Sequence, residues 1–305
     1  MRLTKKKKGL AAAGVFTLVL AGCGVSALQQ VHNAVSYISA SPDIQMVISG
    51  TATGSGSAQI NKYLSQFSLH IDAASAKPGV ALAQAGKGNV SVDLGLDYHT
   101  SPVFDMRMVG TSEYFRFDLT PLQNLFPNIA GGAPGGLGPI MDGQWFQVPP
   151  SYLALLTKQA SSNPAAQAKV RSGSAAVMSA LSQIIENQST ISALSGGGLQ
   201  AKGSLLSAFN TLAPAIKQIT GIAPSSTAIT GNYAVTMSIS GGTMTGASLS
   251  ISNKGRAITV EVAISHLSQP VTTPAQLAKL PQSIVDGLVA SQNAVSASAA
   301  GFSQG

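Results

Sequence analysis

The sequence predicts an α+β protein built on one curved antiparallel sheet, with helices packed on the sheet's apolar face. Three observations predict it. Two stretches, roughly 44–119 and 229–264, alternate apolar with small or polar residues, the period of a strand. Between them the apolar residues recur at spacings of three, four and seven, the period of a helix. The alternation is one-sided in both strand sets, so their apolar halves can line a single surface.

The chain begins with a positive segment, Arg2 and Lys5 to Lys8, and an apolar run from Gly9 to Leu20. That run is about a dozen residues, the length of a signal-peptide core and too short for a bilayer of ~30 Å. The small pair Ala21-Gly22 precedes Cys23, the only cysteine, and Leu20-Ala21-Gly22-Cys23 resembles a bacterial lipobox. The resemblance implies lipid attachment through the Cys23 thiol, cleavage before it and acylation, for example with palmitate, of the new amine. Five of the 18 basic residues lie before Cys23 and all 11 acids after it, so the mature chain carries only about +2. The apparent pI of 9.6 is thus mostly a targeting feature. Nucleic acid is not an expected partner, because the basic residues from Lys62 to Lys279 are scattered singly. No later stretch reaches the ~18 apolar residues of a membrane helix.

Leu28, Val31, Val35 and Ile38 predict an amphipathic helix over about 26–39, ended by Ser41-Pro42. Strands follow. Ile44, Met46 and Ile48 alternate with their neighbours, as do Phe67, Leu69 and Ile71. Residues 51–57 read as a turn region. The clearest run is Val90 to His99, where Val90, Val92, Leu94 and Leu96 are assigned to the core and Asp93 to solvent. Val103 to Val109 and Tyr114 to Leu119 complete an antiparallel meander, with Phe115 and Phe117 opposite Arg116 and Asp118.

The pattern breaks at Thr120, and Gly131 to Pro139 reads as a loop. Asp142 to Val148 reads as a turn and short strand, and Pro149-Pro150 as a helix start. Residues 151–222 are expected to be helical, with an apolar stripe through Val177, Leu181 and Ile184, a helix end at Gly196-Gly197-Gly198 and a kink or restart at Pro214. Strands return after Ile229, joined by turns at Gly241-Gly242 and Asn253-Lys254-Gly255. Low order is expected beyond about Ser291.

Catalytic chemistry is not signalled. No Gly-x-Ser-x-Gly lies within residues 23–300, and the glycine-rich loop lacks a following Gly-Lys-Ser/Thr. His32, His70, His99 and His266 are not paired at metal-ligand spacing, so neither a cofactor nor a metal is expected. His70, Asp72, Asp97 and His99 read as surface pairs.

The lipobox, the meander, Asp142-Gly143-Gln144-Trp145-Phe146 and the closing Ile264-Ser265-His266-Leu267-Ser268-Gln269-Pro270-Val271-Thr272 together resemble the LppX/LprA/LprF/LprG group of actinobacterial cell-envelope lipoproteins, in the LolA/LolB-like superfamily. The resemblance implies a half-barrel sheet with helices on its concave apolar face and an apolar cavity between them. It implies a non-enzymatic carrier of a lipid or acylated glycolipid outside the cytoplasmic membrane. The chain then divides into a signal peptide (1–22), a lipidated anchor and helix (23–43), a lipid-binding domain (44–282) and a weakly ordered tail (283–305). Expected pocket residues on the strands are Ile44, Met46, Phe67, Leu69, Val92, Leu94, Met106, Met108, Phe115 and Phe117. Trp145 is expected at the mouth beside the Gly131–Pro139 loop, and Val177, Ala180, Leu181 and Ile184 on the helical side. Expected partners are the cell membrane, through the Cys23 acyl chains, a hydrophobic lipid ligand and a membrane transporter. The alternative is a surface or sensory lipoprotein with a filled core and no ligand.

Overall fold

The computed structural model describes residues 38, 40–86, 88–122, 142–150, 164–195, 197–226, 229–282 and 286. The expectations for the signal segment, Cys23, most of the first helix, the 131–139 loop and the tail lie outside these residues. Eleven strands form one open antiparallel sheet: β1 (Asp43–Thr53), β2 (Phe67–Ser75), β3 (Val90–Tyr98), β4 (Ser101–Val109), β5 (Ser112–Phe117), β6 (Phe146–Gln147), β7 (Thr190–Ala193), β8 (Gly198–Ser204), β9 (Asn232–Ser240), β10 (Thr243–Asn253) and β11 (Arg256–Ser265). Their spatial order is β6-β5-β4-β3-β2-β1-β11-β10-β9-β8-β7. Each strand set is a meander, and β1 joins the two by pairing with β2 on one side and β11 on the other. The curved α+β architecture expected from the alternation is therefore present.

Turn chemistry sets the registers. Gly241 and Gly242 both have positive φ, as do Lys254 and Gly255, which suits two-residue hairpins that follow the strand twist. The β3–β4 hairpin is less conventional, because its two loop residues, His99 (φ 52°) and Thr100 (φ 76°), carry side chains. Beyond it the register shifts by one: Asp97 faces Pro102, whereas Leu96 faces Phe104. Val103 is the extra residue of this bulge, and it packs against Tyr98 and Leu122. Without the shift, the apolar residues of β4 would point to the opposite face from those of β3.

Among the described residues three α-helices accompany the sheet: α1 (Ser57–Leu64), α2 (Pro164–Gln188) and α3 (Leu205–Thr220). α1 begins at Ser57, the last residue of the expected turn region, whose first residues, Thr51 to Thr53, instead complete β1. It is fastened to β1 by Asn61, whose side chain accepts from Ala52 N–H at 2.6 Å and donates to Ala52 C=O at 2.7 Å. These groups lie past the end of the β1–β2 ladder, so Asn61 substitutes for a missing strand. Leu64 lies over Gly50, where a Cβ would come within 2.7 Å of it.

The helical region is interrupted, which corrects the reading of 151–222. β7 and β8 form a hairpin inside it, and β8 pairs with β9. Gly198 allows this: its φ is +107°, and a Cβ there would come within 1.9 Å of the Met237 carbonyl oxygen. α2 and α3 then pack as a pair, with Gly173 against Ile219 and Gln188 bonded to Thr211 and Ser207. α3 continues through Pro214 to Gly221, a left-handed C-cap, so the expected restart at Pro214 does not occur. No described helix is long and apolar enough to cross a membrane.

After β11 the chain forms a strap over the sheet's polar face. Asp43 Oδ1 accepts from the Leu267 N–H at 2.9 Å, Arg107 Nη1 donates to Thr272 C=O at 3.5 Å, and Ala278 N–H donates to Trp145 C=O at 2.8 Å. The strap thus runs from the β1–β11 junction to the β6 edge.

The strained β3–β4 loop makes a stability prediction. A side-chain-bearing residue in the left-handed region costs roughly 1–2 kcal/mol, part of which glycine returns as chain entropy. Thr100→Gly should therefore stabilise the protein by about 0.5–1 kcal/mol, read as a raised urea midpoint at unchanged slope.

Candidate functional site

The register places Ile44, Met46, Phe67, Leu69, Val92, Leu94, Met106, Met108, Phe115 and Phe117 on one face, as expected. Phe146 joins them opposite Phe115, with ring centroids 5.7 Å apart, and Phe104 joins them opposite Phe117, at 4.9 Å. On the other side of β1 the same face continues through Leu249, Ile251, Ile258 and Val260. Among the expected strand residues Ile44 alone is buried, and the others are half-buried. Leu249, Ile251, Ile258 and Val260 are 41%, 38%, 44% and 37% exposed. The pairing of Leu249 with Val260 and of Ile251 with Ile258 makes these four one continuous patch.

The helical side sits elsewhere. Ala180 and Ile184 are buried, and Val177 and Leu181 are half-buried. Ile184 packs with Ala208 of α3 and Tyr233 of β9, so the helix pair covers the β8–β9 end. β3 lies five strands from β9 in the sheet order, roughly 24 Å along the sheet at ~4.8 Å per strand. The cavities lined by described residues group neither the helix stripe nor the β3–β5 side chains. A partly open space beside Ile38, Ile44, Met244 and Ile264 is about 30 Å³, room for a water and not for a chain. Two open cavities of about 360 and 290 Å³ flank the C-terminal strap instead.

Trp145 is also corrected. It lies on the opposite, polar face, with the guanidinium carbons of Arg107 and Arg116 4.6 and 5.0 Å from its ring centroid. One residue on, Phe146 points to the apolar face, as strand alternation requires.

The polar face of β2–β5 is not the solvent-washed surface that alternation suggested. Asp93 is 6% exposed and Asp105 1%, both less exposed than Leu94 or Met106 on the apolar side. Arg107 Nε donates to Asp93 Oδ2 at 2.6 Å, and Arg116 Nε donates to Asp105 Oδ2. His70 lies between them, with Nδ1 3.0 Å from Asp97 Oδ2 and Nε2 3.5 Å from Asp105 Oδ1. Gly95 makes room for it, since a Cβ there would stand 2.1 Å from His70 Cε1. His70 therefore pairs with Asp97 across the sheet and not with Asp72, and His99 occupies the hairpin loop. Burial pushes the carboxyls of Asp72 and Asp105 up from their ordinary range; Gln45 opposes this at Asp72 and Arg116 at Asp105.

Arg116→Ala would leave Asp105 buried without its partner. Removing one member of a buried pair costs roughly 3–5 kcal/mol, and the partial exposure of Arg116 places the expected loss near the lower end, about 3 kcal/mol at pH 7. The sign with pH follows from the raised carboxyl. Stability held by a protonated Asp105 is present below its unfolded value of 3.8 and is lost as pH rises through the folded value. The deficit of Arg116→Ala should thus shrink as pH falls toward 4, in urea titrations of both proteins across that range.

No known family pattern matches the chain, and no curated protein resembles it significantly. Among solved structures, the crystal structure of lipoprotein LppX of Mycobacterium tuberculosis aligns with 83% of this chain and 100% of its own, at 10% identity and a TM-score of 0.35. The fold assignment rests on the register of the sheet and not on that likeness.

Proposed function

We propose that this protein is an extracytoplasmic lipoprotein, anchored through Cys23, that holds the acyl chains of a lipid or acylated glycolipid against the open apolar face of its sheet. It acts as a carrier or binder and performs no catalysis. One observation carries the reading: the apolar face of β1–β5, β10 and β11 is half-exposed, and over β3 and β4 the acids Asp93 and Asp105 behind it are more deeply buried than its leucines and methionines. Soluble surfaces rarely leave a continuous apolar patch without an occupant. Each methylene laid on it contributes ~0.8 kcal/mol, so a dozen would gain about 10 kcal/mol before the cost of ordering the chain. Half-buried Met46, Met106 and Met108 give the surface adaptable walls. The membrane anchor follows from the Leu20–Cys23 segment, and a membrane transporter is the partner such a carrier needs for loading or release. The small volume of the space beside Met244 favours a second reading, a surface lipoprotein without a ligand.

Binding of a fluorescent fatty acid separates the two. Leu94→Lys and Val260→Lys should each weaken it at least tenfold while circular dichroism stays unchanged; Glu261→Lys, on the other face, should leave it alone. In cells, Cys23→Ala should abolish labelling by an alkyne palmitate. A lipidated wild-type protein that takes up no acyl probe would establish the ligand-free reading.

A further inference from the structure

On the charged face His70, Asp93 and Asp105 bring three potential ligand atoms together. His70 Nδ1 lies 3.0 Å from Asp97 Oδ2, and a carboxylate at that position fixes the ring proton on Nδ1. The lone pair of Nε2 then points toward Asp105 Oδ1, 3.5 Å away. Asp93 belongs to the same cluster: His70, Asp93 and Asp105 can each supply a ligand atom, all within 4.8 Å of one another. The two arginines do not fill the gap, because each is bonded to an Oδ2 atom. Asp93 Oδ1 is buried with no hydrogen-bond partner, on a residue 6% exposed. A buried carboxylate oxygen left this way costs free energy unless a cation meets it.

We propose that His70 Nε2, Asp93 Oδ1 and Asp105 Oδ1 form a binding site for a divalent transition-metal cation on the polar face of the sheet.

Charge, geometry and surroundings agree. Asp72, Asp93, Asp97 and Asp105 face two guanidinium groups, those of Arg107 and Arg116, so the carboxyl groups of the ladder outnumber its guanidinium groups by two. Asp72 and Asp93 are directly opposed in the register, a like-charge pair that a nearby cation would relieve. Bonds of ~2.0–2.1 Å in a tetrahedral site set ligand atoms about 3.3 Å apart, close to the separation of His70 Nε2 and Asp105 Oδ1. One nitrogen and two oxygens suit zinc or cobalt better than calcium, which takes six to eight oxygens. Asp97 on Nδ1 is the outer carboxylate that orients and strengthens a ligating histidine. Arg107 and Arg116 play the same part for the two carboxylates. The three ligands come from β2, β3 and β4, so the ion would clamp these strands from the side opposite the apolar face.

The test uses the untagged full chain, purified in detergent and stripped with chelator. Dialysis against Zn²⁺ or Co²⁺ followed by elemental analysis should give one ion per chain and a raised melting temperature, and Co²⁺ should show the absorption of a low-coordinate site. His70→Gln and Asp93→Asn should each weaken binding at least a hundredfold; Asp97→Asn should weaken it about 10–100-fold. His266→Gln, whose ring pairs with Asp43 instead, should bind as the parent does. His70 is half-exposed, so His70→Gln carries the test by itself if Asp93→Asn does not fold. A folded parent that binds no ion in stoichiometric amount, or a folded His70→Gln that binds as tightly as the parent, overturns the site. The first result would assign both His70 contacts to an imidazolium donating to Asp97 and Asp105.

Discussion

The pairing of β1 with β11 is the interaction on which the rest depends. It joins residues 220 apart, as in the contact of Ser265 with Gln45. Closing a loop of that length costs about 5 kcal/mol by chain statistics, plus a constant. The register from Gln45 to Thr53 spreads that cost over a continuous ladder in the middle of the sheet. It also puts Met46 beside Ile264 and Ile48 beside Val262, so the apolar faces of both meanders merge into one. Each meander alone would expose two sheet edges, whereas the joined sheet exposes only the short β6 and β7.

That merger creates an imbalance. An eleven-stranded sheet presents more apolar surface than α1 and the α2–α3 pair can cover. The described helices pack at β1 and at β8–β9, through Leu64, Ile184 and Ala208. The other face receives the strap and Trp145. Coverage is therefore inverted over β3 and β4: the acids are deeper than the leucines and methionines behind them. Part of the cost of burying these acids is offset locally, because Arg107 holds one oxygen of Asp93 and Arg116 one oxygen of Asp105. The apolar face, half-open, is left available to a ligand.

Much of this was legible in the sequence because a strand with one apolar face announces itself by alternation. The members of the apolar face on β1–β5 and β9–β11 follow from period two alone. Which face would be covered did not follow, because coverage depends on where the strap and helices come to rest. β7 and β8 escaped notice because they are short, and Gly197 and Gly198 read as a helix end when their role is close approach to β9. α1 was hidden in a small polar stretch whose one decisive residue is Asn61. Part of the charge ladder was within reach. A two-residue turn at Gly110-Thr111 sets Asp105 opposite Arg116, as observed. The Asp93–Arg107 pair was not, since it depends on the bulge at Val103, and His70 meets Asp97 only through the β2–β3 register.

Gly95 ties the two faces together. A glycine inside a strand lacks a packing side chain and costs roughly 0.5–1 kcal/mol against alanine. On the apolar face it would be a hole. On the polar face it is a channel, along which His70 reaches Asp97 on β3 and Asp105 on β4. Any side chain at 95 would push His70 outward and separate it from both acids. The strand therefore gives up local propensity for a cross-strand network that holds β2, β3 and β4 in one register. The same register keeps Leu69, Leu94 and Met106 on a common apolar surface. The charged ladder and the candidate ligand surface are two consequences of one alignment, so slipping either strand by a residue would destroy both.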